Sequence, residues 1–284
     1  MNEETKKEVK EYMLGYALNL IRSRKGRVDE FVEKALMKYP FHMIFFPLDY
    51  VVISEVERSI TAGVGLAFYT GIAERIARER FNDVRKDHTF HFELDEAKVR
   101  KVDDTLEALD RKRRPPNVEA ETKEIMAVSS GRKIKVDITA DFYIGDYEYE
   151  GRRVPVLIEF KTPWPKKEDC VRSKRRMLLF RVAHEFKALA FVGFPYNPFK
   201  SKKDIWWTTK QFFDLDREVL FGKDLWDFIG GPGTYDELVA IAEEVSREVK
   251  PEVDALVREV TTRIEKEKKG KPTLDMYSSR RPRQ

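Results

Sequence analysis

The stretch VPVLIEF (154–160), followed directly by Lys161, constrains this chain more than any other. It is an almost unbroken apolar run of strand length, as expected of a strand buried on both faces. Yet it closes on a carboxylate and an amine, groups that are expensive to bury without partners. Glu159 and Lys161 are two residues apart, so on a strand they project to the same face. Glu-x-Lys by itself carries little weight, because it also occurs at Glu4/Lys6, Glu8/Lys10, Glu96/Lys98 and elsewhere. Its position at the end of a buried strand sets this copy apart.

The preceding segment KIKVDITADFYI (133–144) alternates Ile134, Val136, Ile138 and Ala140 with Lys135, Asp137, Thr139 and Asp141, the pattern of a half-buried strand. A turn is expected near Tyr149, Glu150 and Gly151. Folding the two strands back about residue 150 places Asp141 opposite Glu159, where cross-strand Cβ atoms lie about 4.5–5.5 Å apart. Two carboxylates that close repel unless a cation lies between them. Mg²⁺, a hard ion that takes one or two carboxylates and keeps waters for phosphate oxygens, suits the pair. Asp137 shares the parity of Asp141 and is the second choice for the first acid. A register slip of one residue would move either acid to the other face.

Asp141, the hairpin and Glu159-Phe160-Lys161 together resemble the PD-(D/E)xK nuclease signature, with Ala140 where the signature has proline. Three further segments, KTPWPKKED (161–169), FPYNPF (194–199) and GKDLWDFIGGPGTYDEL (222–238), resemble TdeIII-type restriction endonucleases, and the likeness spans roughly residues 50–245. The resemblance implies a type II restriction enzyme. Its core would be a mixed β-sheet flanked by helices, an α/β (α+β) fold with helical additions at both ends. It would hydrolyse double-stranded DNA with Mg²⁺ (Mn²⁺ as a substitute) at palindromes of the GGNCC kind. Metal ligands would be Asp141, Glu159 and the Phe160 carbonyl, with Lys161 positioning or activating water. Glu57, in Glu-Arg-Ser (57–59), would be a further acid; on its own spacing from Ser54 it reads equally as a capping-box partner. A palindromic target matches a two-fold protein, so a homodimer is expected, together with a cognate DNA methyltransferase in the same system. A repair or junction-resolving nuclease on the same core, or a DNA-binding module without catalysis, are the rival readings.

Between the last two apolar strands, VRSKRRMLLFR (171–181) reads as a helix with Met177, Leu178 and Phe180 inward. Arg172, Lys174, Arg175 and Arg176 are its candidate DNA-phosphate contacts. Trp206 and Trp207 read as core or interface residues rather than a base-stacking platform, and the scattered His42, His88, His91 and His184 as structural or surface groups.

The remaining segments read as helices over about 3–24, 27–37, 54–81 and 167–185, with a buried irregular linker at 39–50. After Gly230-Gly231-Pro232-Gly233, Thr234 and Glu237 fit a capping box, Pro251 fits the first turn of a final helix, and about 268–284 reads as a basic disordered tail. Gly63, Ala67 and Gly71, four apart, suggest close backbone approach. With 284 residues, and no linker long enough to divide them, the chain reads as one nuclease domain. A net charge of +4 does not by itself announce a nucleic-acid binder, and one cysteine excludes a disulfide framework or a multi-Cys metal site. With no apolar run of membrane-spanning length, a cytoplasmic protein is expected.

Overall fold

In the computed structural model, residues 1–39 and 42–270 are described, with backbone alone for 43, 44, 202, 269 and 270. The helices α1 (Glu3–Lys25), α2 (Val28–Lys38), α3 (His42–Phe45), α4 (Leu48–Gly63) and α5 (Leu66–Arg78) come first. Strand β1 (Val84–Asp95) follows, then α6 (Glu96–Asp110), α7 (Val118–Met126), β2 (Lys133–Tyr149) and β3 (Arg152–Phe160). Helix α8 (Lys167–Ala183), β4 (Leu189–Phe194), α9 (Trp207–Phe212), β5 (Val219–Phe221), α10 (Lys223–Gly230) and α11 (Thr234–Gly270) complete the order. No helix among the described residues is long and apolar enough to cross a membrane.

The contacts fall into two compact units. The first, Met1–Val9 with Tyr69–Val239, holds the sheet. Its strand order is β1-β2-β3-β4-β5; the first three are antiparallel, and β3-β4 and β4-β5 are parallel. A mixed sheet with helices against it is the α/β fold expected from sequence. The parallel steps pass through α8 and α9, because a parallel connection needs a crossover. β3 is buried on both faces from Val156 to Phe160, which explains its unbroken apolar run. Met177, Leu178 and Phe180 of α8 enter the core with Leu157, Ala190, Val192 and Phe194.

The second unit, Lys10–Phe68 with Ala240–Gln284, packs Val28, Phe31, Val32, Val52 and Val56 against Leu256, Val260 and Ile264. Within it, Gly63 lies under Leu20: a Cβ there would stand 2.3 Å from Leu20 Cδ1. The neighbour is a side chain and not a backbone, and the break at residues 64–65 puts Gly63 on a different helix from Ala67 and Gly71, so the expected small-residue stripe does not form.

Five local expectations are corrected. The helix expected over 54–81 begins earlier and is broken at residues 64–65, giving α4 and α5. Pro47 stands at the N-cap of α4, so Ser54 and Glu57 are in the helix interior and form no capping box. The 39–50 segment is not a buried linker: it contains α3, and Phe45, Phe46 and Tyr50 are exposed. Thr234 starts α11, but the Glu237 carboxylate accepts from the Met1 ammonium at 2.7 Å instead of capping, and α11 runs through Pro251 without a break. Of the tail expected at 268–284, residues 268–270 close α11 and the rest lies outside the described residues.

Candidate active site

The β2–β3 hairpin aligns two acids through a compensation between its turn and its strand. Glu150 and Gly151 are the two loop residues, with φ of 50° and 72°. Positive φ at both positions belongs to the type I′ turn that matches strand twist. Tyr149 pairs with Arg152 and Tyr147 with Val154, a register that would, if continued, set residue 141 opposite residue 160. Between Ile144 and Tyr147, however, β2 carries one extra residue, a bulge at Gly145-Asp146. Beyond it Ile144 faces Val156 and Phe142 faces Ile158. Continuing this register puts Asp141 opposite Glu159. The bulge is anchored by the Gly145 N–H, which donates to the Asp83 carbonyl at 2.7 Å, and by the Asp146 carboxylate, which accepts from the Asn82 N–H at 3.0 Å.

At the end of β3 the Lys161 ammonium sits among three oxygens. It donates to Asp141 Oδ2 at 3.0 Å and to the Phe160 carbonyl at 2.8 Å, and lies 3.5 Å from Glu159 Oε2. The Lys161 N–H continues the ladder to the Gly193 carbonyl at 2.9 Å, fixing the backbone from which that side chain turns back.

Glu159 is fully buried. Helix α8 lays two side chains one turn apart against it: Ser173 Oγ donates to Glu159 Oε2 at 3.0 Å, and Arg176 Nη1 reaches the same oxygen at 3.1 Å. Arg176 Nη1 also lies 3.7 Å from Asp141 Oδ1. Burial, and then the neighbouring Asp141 charge, push the Glu159 carboxyl above its usual range, against the opposing pull of Lys161 and Arg176. Two acids are thus held together with cations between them.

Two carboxylates and a main-chain carbonyl are an all-oxygen donor set, the kind a hard divalent ion takes. The ammonium already drawn to all three oxygens marks where positive charge is favoured, so these residues fit a Mg²⁺-type ion. Among the described residues no cluster of three or more His, Cys, Asp or Glu offers an alternative metal centre.

The other sequence candidates differ in their surroundings. Asp137 is exposed and pairs with His91 at 2.7 Å across β1, away from Glu159. Lys174 is fully buried, with its ammonium 2.6 Å from Glu121 and 2.5 Å from Glu218, and Arg181 completes the network on Glu218 at 2.6 Å. It is a structural cation and no phosphate contact; one residue's rotation around α8 separates it from the half-buried Arg175. Arg172 and Arg175 remain at the surface, paired with Asp169 and Asp103. Glu57 is exposed on α4, in the second unit, with the Thr61 hydroxyl donating to it at 3.4 Å. Trp206 and Trp207 are not core residues, being 37% and 48% exposed.

Sequence reasoning missed Ser173 as a partner of Glu159 and took Arg176 only for a DNA contact. The available signal was their i, i+3 spacing on the helix that follows β3, which puts both on one face.

Comparisons with known proteins bear on the chain as a whole. The sequence model described as "Type II restriction endonuclease, HinfI" matches residues 1–246. The chain is 26% identical over 263 residues to the type II restriction enzyme HgiEI of Herpetosiphon aurantiacus, covering 86% of this chain and 94% of that one. It is 27% identical over 214 residues to HgiBI of the same organism, covering 72% and 76%. Against the type II restriction enzyme MjaII of Methanocaldococcus jannaschii it is 24% identical over 268 residues, covering 81% and 69%.

Proposed function

The chain belongs to the type II restriction endonuclease family represented by HinfI, and from that premise we propose that it cuts double-stranded DNA at a specific sequence using Asp141, Glu159, Lys161 and Mg²⁺. The observation that carries the proposal is the convergence of Asp141 Oδ2, the Phe160 carbonyl and Glu159 on one cation, at 3.0, 2.8 and 3.5 Å.

In this reading those three groups hold Mg²⁺, with Mn²⁺ as a substitute. When bound, the ion supplies Lewis-acid stabilisation of the scissile phosphate and lowers the pKa of an attacking water. Lys161, released from the acids, orients that water or screens the phosphate. Ser173 and Arg176 keep the Glu159 carboxylate turned toward Asp141. Arg172 and Arg175 on the same helix remain proposed phosphate contacts, which would position the duplex without reading its sequence.

Finer features follow from the resemblance to TdeIII-type enzymes: a GGNCC-like palindrome, a homodimer matching its two-fold symmetry, and a cognate DNA methyltransferase in the same system. Whether Glu57 adds to the acid set is tested separately, by loss of cutting in Glu57→Gln with the fold intact.

Digestion of a plasmid with Mg²⁺ tests the central claim. Discrete fragments are expected, with ends that map to one short sequence, and Asp141→Ala is expected to abolish them. Smeared or structure-dependent nicking would favour a repair or junction-resolving enzyme. No cleavage with Mg²⁺ or Mn²⁺, together with unchanged thermal stability on metal titration, would leave only a DNA-binding module.

A further inference from the structure

Helix α6 ends in a Schellman motif: the Arg113 N–H donates to the Ala108 carbonyl at 2.8 Å and the Lys112 N–H to the Leu109 carbonyl at 3.0 Å. The left-handed position of that motif favours glycine, yet Lys112 occupies it with a φ of 54°. A residue with a Cβ is strained there, and strain kept in a native fold is a pointer to function. What the strained turn achieves is to project Lys112 and Arg113 over a concave surface of ≈ 410 Å³, whose opposite wall is Trp207 and Lys210 of α9. The Lys112 ammonium lies 5.8 Å from the centre of the half-exposed Trp207 ring.

The charge of this pocket is not neutralised locally. Arg114, which lines it, pairs with Glu124, and Arg111, next to Lys112 in the chain, pairs with Glu107. Among the described residues Lys112 and Lys210 have no carboxylate within ion-pair distance, and Arg113 only Glu107 at 4.0 Å. The pocket is also tied to the candidate active site through the segment that leaves Lys161. Thr208, next to Trp207, donates to the Pro165 carbonyl at 2.9 Å, and Lys167, the first residue of α8, pairs with Asp110 at the end of α6 at 2.5 Å.

We propose that Lys112, Arg113, Lys210 and Trp207 form a second DNA contact, which grips the sugar-phosphate backbone of the duplex outside the stretch presented to Asp141 and Glu159. The three cations take phosphate oxygens, and the indole packs against a sugar or a base edge. This site rests on the nuclease reading and adds a sequence-independent contact to it, one that sets affinity and duplex register rather than cleavage chemistry.

The test is binding of a fluorescent duplex of mixed sequence, without divalent metal, across a salt series. Lys112→Gln/Arg113→Gln/Lys210→Gln is expected to weaken binding about tenfold or more and to reduce the salt slope by roughly one for each phosphate no longer neutralised. Lys112→Gly separates this role from a structural one: it relieves the left-handed strain, so it is expected to raise the Tm while weakening binding. Unchanged affinity and slope in the triple variant would overturn the inference, as would a change confined to oligomeric state. If the wild-type protein neither binds nor cuts DNA, the nuclease reading itself has failed and the inference falls with it. If the wild type cuts and the triple variant binds as it does, the inference alone has failed.

Discussion

Gly145 and Asp83 are in contact at the bulge of β2: a Cβ on Gly145 would stand 2.2 Å from Asp83 Oδ2 and 2.9 Å from Asp83 Cβ. Any other residue at 145 displaces the segment that holds the extra residue of β2. Carried as a bulge outside the pairing, that residue leaves Asp141 opposite Glu159 rather than opposite Phe160.

Gly145→Val is therefore expected to do more damage than its half-buried surroundings suggest. Room for the new side chain requires the bulge and Asp83 to move apart, and β2 carries Asp141 with it. Cleavage is expected to fall by about 10²-fold or more, since displacement of a catalytic group by roughly 1 Å already costs that much. Deleting Asp146 is expected to be the milder change: it places Gly145 opposite Pro155 and leaves Ile144 opposite Val156, so the bulge is lost while Asp141 keeps its place opposite Glu159. Both are read by plasmid cutting beside circular dichroism; full activity in Gly145→Val would refute the argument.

Glu159→Gln is expected to abolish cutting without loss of stability. The folded-state pKa of Glu159 is raised, so its ionisation costs stability as pH rises from the ordinary carboxylate value through the raised one. The amide removes that cost. In metal-free protein near neutral pH, the variant should melt no lower than wild type and lose part of the wild type's decline in Tm between acid and neutral pH. A large drop in Tm would show that the ion pairs to Lys161 and Arg176 outweigh burial.

Lys174→Met separates structure from DNA contact on α8. Removing this ammonium leaves the fully buried Glu121 and Glu218 facing each other, supported only by Arg181 and local hydrogen bonds. Breaking a buried ion pair from one side costs about 3–5 kcal/mol, so urea denaturation should report a loss of that order. The salt slope of DNA binding by the folded fraction should not change. A reduced slope would return Lys174 to the phosphate contacts.

Asp95 predicts an acid-side dependence. Desolvation works against its charge, but the Ser130 N–H, the Ser129 and Ser130 hydroxyls and the Gly131 N–H all donate to it and hold its pKa far below the ordinary value. It also caps α6 through the Ala97 N–H at 2.9 Å. A depressed folded pKa gives stability that is present above the unfolded value near 3.8 and is lost as pH falls below it. Asp95→Asn is expected to lower the Tm at neutral pH and to flatten its fall in acid. Parallel melting curves for the two proteins down to pH 2 would count against this account.

Elements whose chemistry repeats along the chain are legible without coordinates. The period-two alternation of 133–144 and the apolar run of 154–160 specify two adjacent strands, because each pattern has one way to bury its side chains. The acids and the lysine followed from the cost of placing charge at the end of such a run. The proposed opposition of Asp141 and Glu159 was legible too, but through a turn centred half a residue away from its true place. The bulge that compensates has only a glycine and an aspartate to announce it. Features that depend on partners distant in sequence are set by the packed fold. Lys174 and Arg176 lie two positions apart in one basic run; one is sealed between Glu121 and Glu218, and the other faces the candidate acids. Helical periodicity assigns their faces, but only the packing of α7 and of the turn before β5 against α8 reveals which face meets carboxylates. Which of these charges is buried and which stays available to a phosphate is a property of the assembled unit, since burial and pairing are fixed by neighbours the local sequence does not contain.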